Sequence, residues 1–392
     1  MTAPTNPLLE KRIRRHVIGK SHRFFAVTAP GLEPLCRGEL ESLGLTGAAV
    51  EGGVEFSGRL QAVYLANLCL RTANRILLRL HEFRATNFRA LAQEAAAVPW
   101  ELFIAPGAPL RIHVTTHHCR LHHSDAIAER VQTAITERLS AFSVAHAQLP
   151  QQIFIRGADD RFTASLDSSG ENLYRRGIKT HTGTAPLRET LAAAALLLAG
   201  YSGEAFLLDP MCGAGTFALE AALMAKHRSP GGHRDFAFMA WPGFRPAHWS
   251  FLKRKADEQV VRLEAPQIMA SDNDPDACRA LEECVGRHGL ADAVSVSCRD
   301  FFDIDPRDLT DRPGLIALNP PYGRRLGTRA QHAMLLRNVF QVLQEKYRGW
   351  KAVLIAPHTG GKIEPPFPAH VYHFFHGGLT VNVIVGAIPS SG

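Results

Sequence analysis

The chain lacks the marks of several protein classes. Its seven cysteines are scattered, with no Cys-x-x-Cys pair and no regular framework. In a chain of 392 residues this argues against a disulfide-built scaffold and points to reduced thiols and a cytoplasmic setting. No apolar core flanked by a cleavage site stands at the N-terminus, so no secretory signal is expected. The longest apolar run, Leu191 to Gly200, is too short to span a bilayer and reads as a buried helix, which leaves no membrane partner to expect. Internal repeats and low-complexity tracts are missing too.

What is present is a hydrophobic content of 46% and a charged content of 21%, ordinary for folded soluble protein. The length suits two or three domains. A net charge of +7 before counting 19 histidines, with a pI near 9.2, favours a polyanionic partner. Residues 9–23 hold six Lys/Arg against one Glu. They read as a solvated basic tail, the alternative being an arm that touches RNA.

Periodicity divides the rest. Phe24–Thr28, a helix carrying Leu35, Leu40 and Leu43, a strand near Val50–Phe56, a helix from Arg59 to Leu70 and a strand Ile76–Phe83 make a small α+β unit. A second unit begins near Thr86, with helices Ala90–Ala97 and Asp125–Phe142 and strands Leu110–Thr115, Gln152–Arg156 and Phe162–Asp167. From Pro186 onward helices and short apolar strands alternate, which predicts an open, largely parallel α/β sheet covered by helices, with a terminal hairpin from Val371 to Ala387.

The chemistry-bearing motifs fall in that alternating part. Residues 206–225 (FLLDPMCGAGTFALEAALMA) are a strand, a glycine turn and a helix in succession. Gly213 and Gly215 permit tight backbone geometry, and the helix start offers free amides. Ala218 holds the third glycine place of the dinucleotide fingerprint and Asp209 ends the strand, which suits ligand hydroxyls or an ammonium better than a pyrophosphate. Asp272 follows the next strand, where a carboxylate can take both hydroxyls of a ribose. Asp300, with Phe301 beside it, follows the one after and suits an adenine's amino group and face. Each acid alone would be an ordinary helix cap, but acids at successive parallel strand ends converge on one crevice.

Asn319-Pro320-Pro321-Tyr322 ends the following strand. The Asn oxygen and the Pro320 carbonyl are acceptors for the N–H groups of a planar amine, the prolines hold them aimed, and Tyr322 offers a stacking surface.

Together, DPMCGAGT, ASDNDP, Asp300-Phe301 and NPPYGRRLG resemble class I S-adenosylmethionine-dependent methyltransferases that modify exocyclic amines. The segment Asn172 to Leu198 narrows the resemblance to THUMP-domain RNA methyltransferases, near the 23S rRNA guanine-N2 methyltransferase family. The resemblance implies four parts: a basic tail (1–22), a ferredoxin-like domain (23–84), a THUMP RNA-binding domain (85–170) and a Rossmann-like methyltransferase domain (171–392). It implies S-adenosylmethionine as cofactor and RNA, foremost rRNA, as partner. Asp209, Pro210, Cys212, Gly213, Gly215 and Thr216 would surround the methionine end of the cofactor, Asp272 and Asn273 the ribose, and Asp300 and Phe301 the adenine. Pro186 and Leu187 would line it from the other side, and Asn319, Pro320, Pro321 and Tyr322 would receive the guanine. Arg175, Arg176, Arg324 and Arg325 would meet RNA phosphates, since Arg is no base near neutrality.

Two departures from the family stand out. Arg324 stands where the family commonly has Glu, and with the sequence stopping at residue 392 the second methyltransferase module fused in some relatives is not expected here. Residues 227–266 with their WPGF and HWSF aromatics resemble a family insertion. The cluster of His113, His117, His118, His122, His123 and Cys119 suggests a metal, but completes no usual zinc spacing. The competing readings are a tRNA guanine-N2 methyltransferase and a non-catalytic RNA-binding protein with a vestigial pocket.

Overall fold

The computed structural model describes residues 7–142, 149–179, 187–321, 329–358, 363–376 and 378–390. They form two compact units. One comprises Met1–Thr28, Cys36–Leu173 and Arg234–Arg254, the other Ala29–Leu35, Tyr174–His233 and Lys255–Gly392.

The first unit starts with helix α1 (Pro7–Ile13), continued through Arg14–Ile18 in a wider π turn. The basic stretch is therefore not a solvated tail. Ile13 and Val17, one helical turn apart, are buried in the unit's core while the arginines between them face outward. Then come β1 (His22–Val27), α2 (Glu33–Ser42), β2 (Gly47–Val50), β3 (Gly53–Gly58), α3 (Leu60–Cys69) and β4 (Arg75–Arg84). The single strand expected around Gly52-Gly53 is a hairpin, turned by Gly52 at φ 79°. There follow α4 (Phe88–Ala97), which Asn87 caps by accepting from the Ala90 amide at 2.9 Å, then β5 (Leu110–His117), α5 (Ser124–Ser140), β6 (Gln151–Ala158) and β7 (Arg161–Asp167).

All seven strands join one sheet, in the order β2-β3-β1-β4-β7-β6-β5, so the 23–84 and 85–170 segments share a sheet through β4 and β7. Only β5 and β6 run parallel among these pairs. The buried helical residues cluster with Phe24, Ile76, Leu78, Ile153, Ile155 and Phe162 on one face of the sheet. The residues between these in sequence, such as Arg23, Phe154 and Arg156, are turned to the other face, as strand alternation requires. Residues 234–254, expected within the C-terminal domain, pack in this core. Phe238 stacks on Tyr64 with ring centres 4.6 Å apart, and the Trp241 indole donates to Gln151 Oε1 at 3.1 Å.

The second unit contains α6 (Glu189–Leu198), β8 (Leu207–Asp209), α7 (Thr216–Ala225), the end of α8 (Pro246–Asp257), β9 (Ile268–Asp272), α9 (Pro275–Arg287) and β10 (Val294–Cys298). It continues with β11 (Leu315–Leu318), α10 (Arg329–Lys346), β12 (Lys351–Pro357) and the hairpin β13 (Ala369–His376) and β14 (Leu379–Ala387). The strand order is β10-β9-β8-β11-β12-β14-β13. The first five strands are parallel, and β14 is antiparallel to both of its neighbours. Helices α6 and α7 are rich in Ala and Leu and bury nearly every residue, as helices covering a parallel sheet must. From β8 the chain first adds strands on one side (β9, β10) and then on the other (β11, β12). That reversal opens a crevice at the carboxyl ends of β8 and β11, where ligands of open α/β sheets bind. No helix among the described residues is long and apolar enough to cross a membrane.

Candidate active site

The turn after β8 is built by its own backbone. Gly213 and Gly215 adopt positive φ (49° and 70°), and the Gly215 amide donates to the Cys212 carbonyl at 2.7 Å. A side chain on Gly215 would place its Cβ 2.3 Å from Leu281 of α9, so glycine is required there for close packing. Around Gly213 the added Cβ would meet nothing within 4 Å. That open side belongs to a cavity of about 600 Å³, within the usual range for small-molecule sites.

Asp272, at the end of β9, lines the cavity and is fixed by two amides: Gly213 donates to Oδ2 at 2.8 Å and Asp274 to Oδ1 at 3.1 Å. Asp300 follows β10 and lines the same cavity. Its Oδ1 accepts from the Phe302 amide at 2.9 Å and its Oδ2 from Asn273 Nδ2 at 3.3 Å. Both acids do cap local turns, but the caps hold them at one hollow. Pro210, Cys212, Gly213, Thr216 and Leu187 line the same cavity, whereas Gly215, expected with them, is packed against Leu281 and does not. Phe301 touches the cavity while buried against Tyr347, with ring centres 6.1 Å apart.

At the end of β11, Asn319 and Pro321 also face the cavity, and Pro320 is buried behind them. Asn319 Oδ1 is a buried oxygen with no hydrogen-bond partner among the described residues. Unmatched buried acceptors are costly, so an amide held in this state awaits a donor. Tyr322, Arg324, Arg325 and Pro186 lie outside the described residues.

Two other expectations need correction. Asp209 is not among the cavity-lining residues; it is fully buried behind the turn, where Oδ2 accepts from the Ala218 amide at 3.1 Å and Oδ1 has no partner among the described residues. Burial pushes its carboxyl up to about 8, helped by the neighbouring Asp272 charge. Arg176 is not free for phosphate. It is 4% exposed and ion-paired to the equally buried Glu220 of α7 at 2.9 Å. Arg175 beside it is exposed. The histidines around Cys119 form no metal-ligating group among the described residues, and the seven cysteines are free.

Lys179 went unnoticed in the sequence. Its side chain is only 8% exposed, yet it lines the cavity, ion-paired to Glu189 at 3.0 Å and donating to Thr216 Oγ1 at 2.6 Å. The opposite wall comes from α9, whose Ala277, Ala280 and Leu281 repeat at helical spacing. That apolar stripe was visible in the sequence and would have predicted the wall.

Ala218 sits where the third glycine of a dinucleotide fingerprint would be, and acids instead of bare amides face the ligand space. A Rossmann-like sheet with acids at successive strand ends facing one cavity and Asn-Pro-Pro at the fourth strand end defines a class I methyltransferase domain. The sequence agrees: residues 176–360 match the RMKL-like methyltransferase domain and residues 23–77 the RlmL ferredoxin-like domain. The chain belongs to the RMKL-like methyltransferase family. It is 32% identical over 344 residues to the Synechocystis sp. protein slr0064, provisionally named an RNA methyltransferase, covering 85% of this chain and 88% of that one.

It is 34% identical to ribosomal RNA large subunit methyltransferase K/L of Methylococcus capsulatus, over 91% of this chain and 50% of that protein. The chain thus spans about half the length of the curated K/L relatives it matches. Among solved structures it is similar to SMU.472, provisionally named a methyltransferase and crystallised with SAH. The TM-score is 0.83 at 26% identity, covering 95% of this chain and 99% of that one.

Proposed function

We propose that the protein transfers a methyl group from S-adenosylmethionine to the exocyclic N2 of a guanine in RNA, with 23S rRNA as the substrate. The observation that carries this reading is the unpartnered Oδ1 of Asn319 in a cavity whose other walls suit an adenosine-containing cofactor. In this reading Asp272 accepts from ribose hydroxyls and Asp300 from the adenine amino group, with the adenine between the apolar face of α9 and Phe301; their shared lining of the cavity supports it. Lys179, beside the first turn of α7, is the cation for the methionine carboxylate.

S-adenosylmethionine supplies a methyl group on a sulfonium, ready for displacement. The protein's task is to present the amine. An arylamine lone pair is delocalised into its ring. Acceptance of its N–H groups by Asn319 Oδ1 and the Pro320 carbonyl turns that pair toward the methyl carbon. The consecutive prolines keep the acceptors from reorganising. The bond to carbon forms as the bond to sulfur breaks, after which the nitrogen is acidic and its proton leaves to water. No general base is required, and none of the buried acids is assigned that role. RNA as substrate fits the names of the relatives and the chain's net charge of +7. The free thiols suit a cytoplasmic setting.

Asn319→Ala tests the reading. Turnover is expected to fall by about a hundredfold or more, the usual cost of one lost preorganised hydrogen-bonding group, while cofactor affinity by calorimetry stays within about twofold. Mass-spectrometric mapping of guanosines in rRNA and tRNA identifies the product. Unchanged methylation by the folded variant would refute the acceptor assignment, and loss confined to tRNA would overturn the rRNA substrate.

A further inference from the structure

Three of the seven cysteines, far apart in sequence, meet at the carboxyl edge of the second sheet. Cys212 lies in the turn after β8, Cys298 ends β10, and Cys278 occupies the first turn of α9, the helix that joins β9 to β10. The Cys278 thiol donates to two carbonyls, each at 3.4 Å: that of Asp272 at the end of β9 and that of Ser297 on β10. It therefore sits over the join between two parallel strands, where Cys298 is in register with Asp272.

Periodicity aims two of these thiols at one another. On β10 the side chains of Val294, Val296 and Cys298 alternate to the same face. Val294 and Val296 pack there in one cluster with Leu281, Cys284 and Val285 of α9. On α9 those buried residues recur at helical spacing, starting from Cys278. Cys298 thus points from the sheet toward the helix and Cys278 from the helix toward the sheet, and their side chains lie within hydrogen-bonding reach. Their exposure differs. Cys298 is open to solvent, whereas Cys278 and Cys212 are buried. Burial also pushes the Cys278 thiol up, which keeps it protonated and leaves Cys298 as the sulfur that meets a dissolved oxidant first. The pair adjoins the cofactor cavity on both sides. Ala277 and Ala280, flanking Cys278, line it, as do Asp272, whose carbonyl the thiol holds, and Asp300, two residues beyond Cys298.

We infer that Cys278 and Cys298 form a reversible disulfide on exposure to peroxide, and that this bond lowers the protein's affinity for its cofactor. The second half rests on the S-adenosylmethionine reading of the cavity given under the proposed function; the first half does not. The Cys298 thiolate attacks one oxygen of hydrogen peroxide, which breaks the O–O bond and leaves a sulfenic acid and hydroxide. The Cys278 sulfur then attacks the Cys298 sulfur, and the hydroxyl leaves as water with the Cys278 proton. In sum, two thiols give up two electrons and two protons to one peroxide, which becomes two waters. Bonding turns the Cys278 sulfur away from the Asp272 and Ser297 carbonyls. It also ties the start of α9 to the end of β10, the elements that frame the cavity between Asp272 and Asp300.

The test treats the folded full chain with hydrogen peroxide, alkylates it under denaturing conditions and maps its peptides by mass spectrometry. Two of the seven thiols should be lost together, in one linked peptide pair about 2 Da lighter than its reduced halves. Dithiothreitol should restore both. By calorimetry S-adenosylmethionine should bind the oxidised protein at least about fivefold more weakly, the low end of a usual coupling between sites, and regain its affinity on reduction. Linkage requires the converse. Saturating S-adenosylmethionine should raise the midpoint potential of the couple by about 20 mV, the same factor converted for two electrons. The affinity of Cys298→Ser should no longer respond to peroxide, whereas Cys119→Ser, in the first unit, should respond as wild type does. A bond from Cys278 to Cys212 instead, or Cys298 carried on to a sulfinic acid with Cys278 still free, would overturn the pair. Unchanged affinity in the disulfide form would overturn its effect on the cofactor. Failure of the reduced protein to bind S-adenosylmethionine would count against the cofactor reading alone, since the peptide map decides the bond without it.

Discussion

Burial of Asp209 behind the glycine turn ties stability to pH. Its carboxyl ionises only near 8 in the folded protein, against an ordinary value of 3.8. Between those limits the folded state holds a proton that the unfolded chain has lost, so stability falls as pH rises from about 4 to about 8. Asp209→Asn removes this ionisation. Denaturant unfolding should show the variant more stable than wild type by roughly a few kcal/mol at pH 8, with the gap closing toward pH 4; a gap of constant size would contradict the burial argument. Lys179 makes a second prediction. In Lys179→Met, calorimetry should show about tenfold weaker S-adenosylmethionine binding, some 1.4 kcal/mol. Binding of 5′-methylthioadenosine, which has no carboxylate, should be unchanged. An equal loss for both ligands would make Lys179 a purely structural residue. The sequence reveals residue type and position, so acids at strand ends could be read from it, Asp272 and Asp300 among them. It does not reveal which polar atom is already satisfied. That is why Arg176, consumed by Glu220, looked available, and why Lys179, ten residues before the start of α6, passed unseen.

At the level of elements, the two glycines of the turn should behave differently when replaced. Gly215→Ala combines a left-handed backbone with a Cβ 2.3 Å from Leu281. It is expected to destabilise the protein by about 2 to 4 kcal/mol, measured as a lower denaturant midpoint. Gly213→Ala meets no atom within 4 Å. It should lose only about 1 kcal/mol of stability but weaken cofactor binding, because its Cβ occupies cavity space. If Gly213→Ala bound the cofactor normally, the turn would not be a contact surface. Most elements were legible because period and punctuation agree: Asp274-Pro275 before α9, Asn87 before α4, the alternation of β5. The exceptions have physical causes. At Pro7–Ile18 the buried Ile13 and Val17, with Leu9 and Ile18 packed beside them, are obscured by the run of Lys and Arg between them, and β2 is mostly exposed, so its four residues carry no hydrophobic signal.

For the molecule as a whole, the main surprise was the ownership of residues 234–254. Proximity in sequence assigns them to the methyltransferase domain, but Phe236, Phe238 and Trp241 complete the other unit's core. Sequence pattern shows that these rings must be buried without showing against what. A chain ended at Leu173 would leave the surface beneath Trp241 and Phe238 uncovered, a deficit of about 3 to 5 kcal/mol for each large ring lost. Such a fragment is expected to bind hydrophobic dyes and to melt without a cooperative transition, and sharp two-state melting would show the segment to be dispensable. The same arrangement sets a schedule during synthesis. At about 5 to 20 residues per second, the roughly 80 residues between Leu173 and Arg254 take about 4 to 16 s to emerge. Through that interval the first sheet waits with part of its core open to solvent and to chaperones, while the strands that will form most of the second sheet have not yet been made.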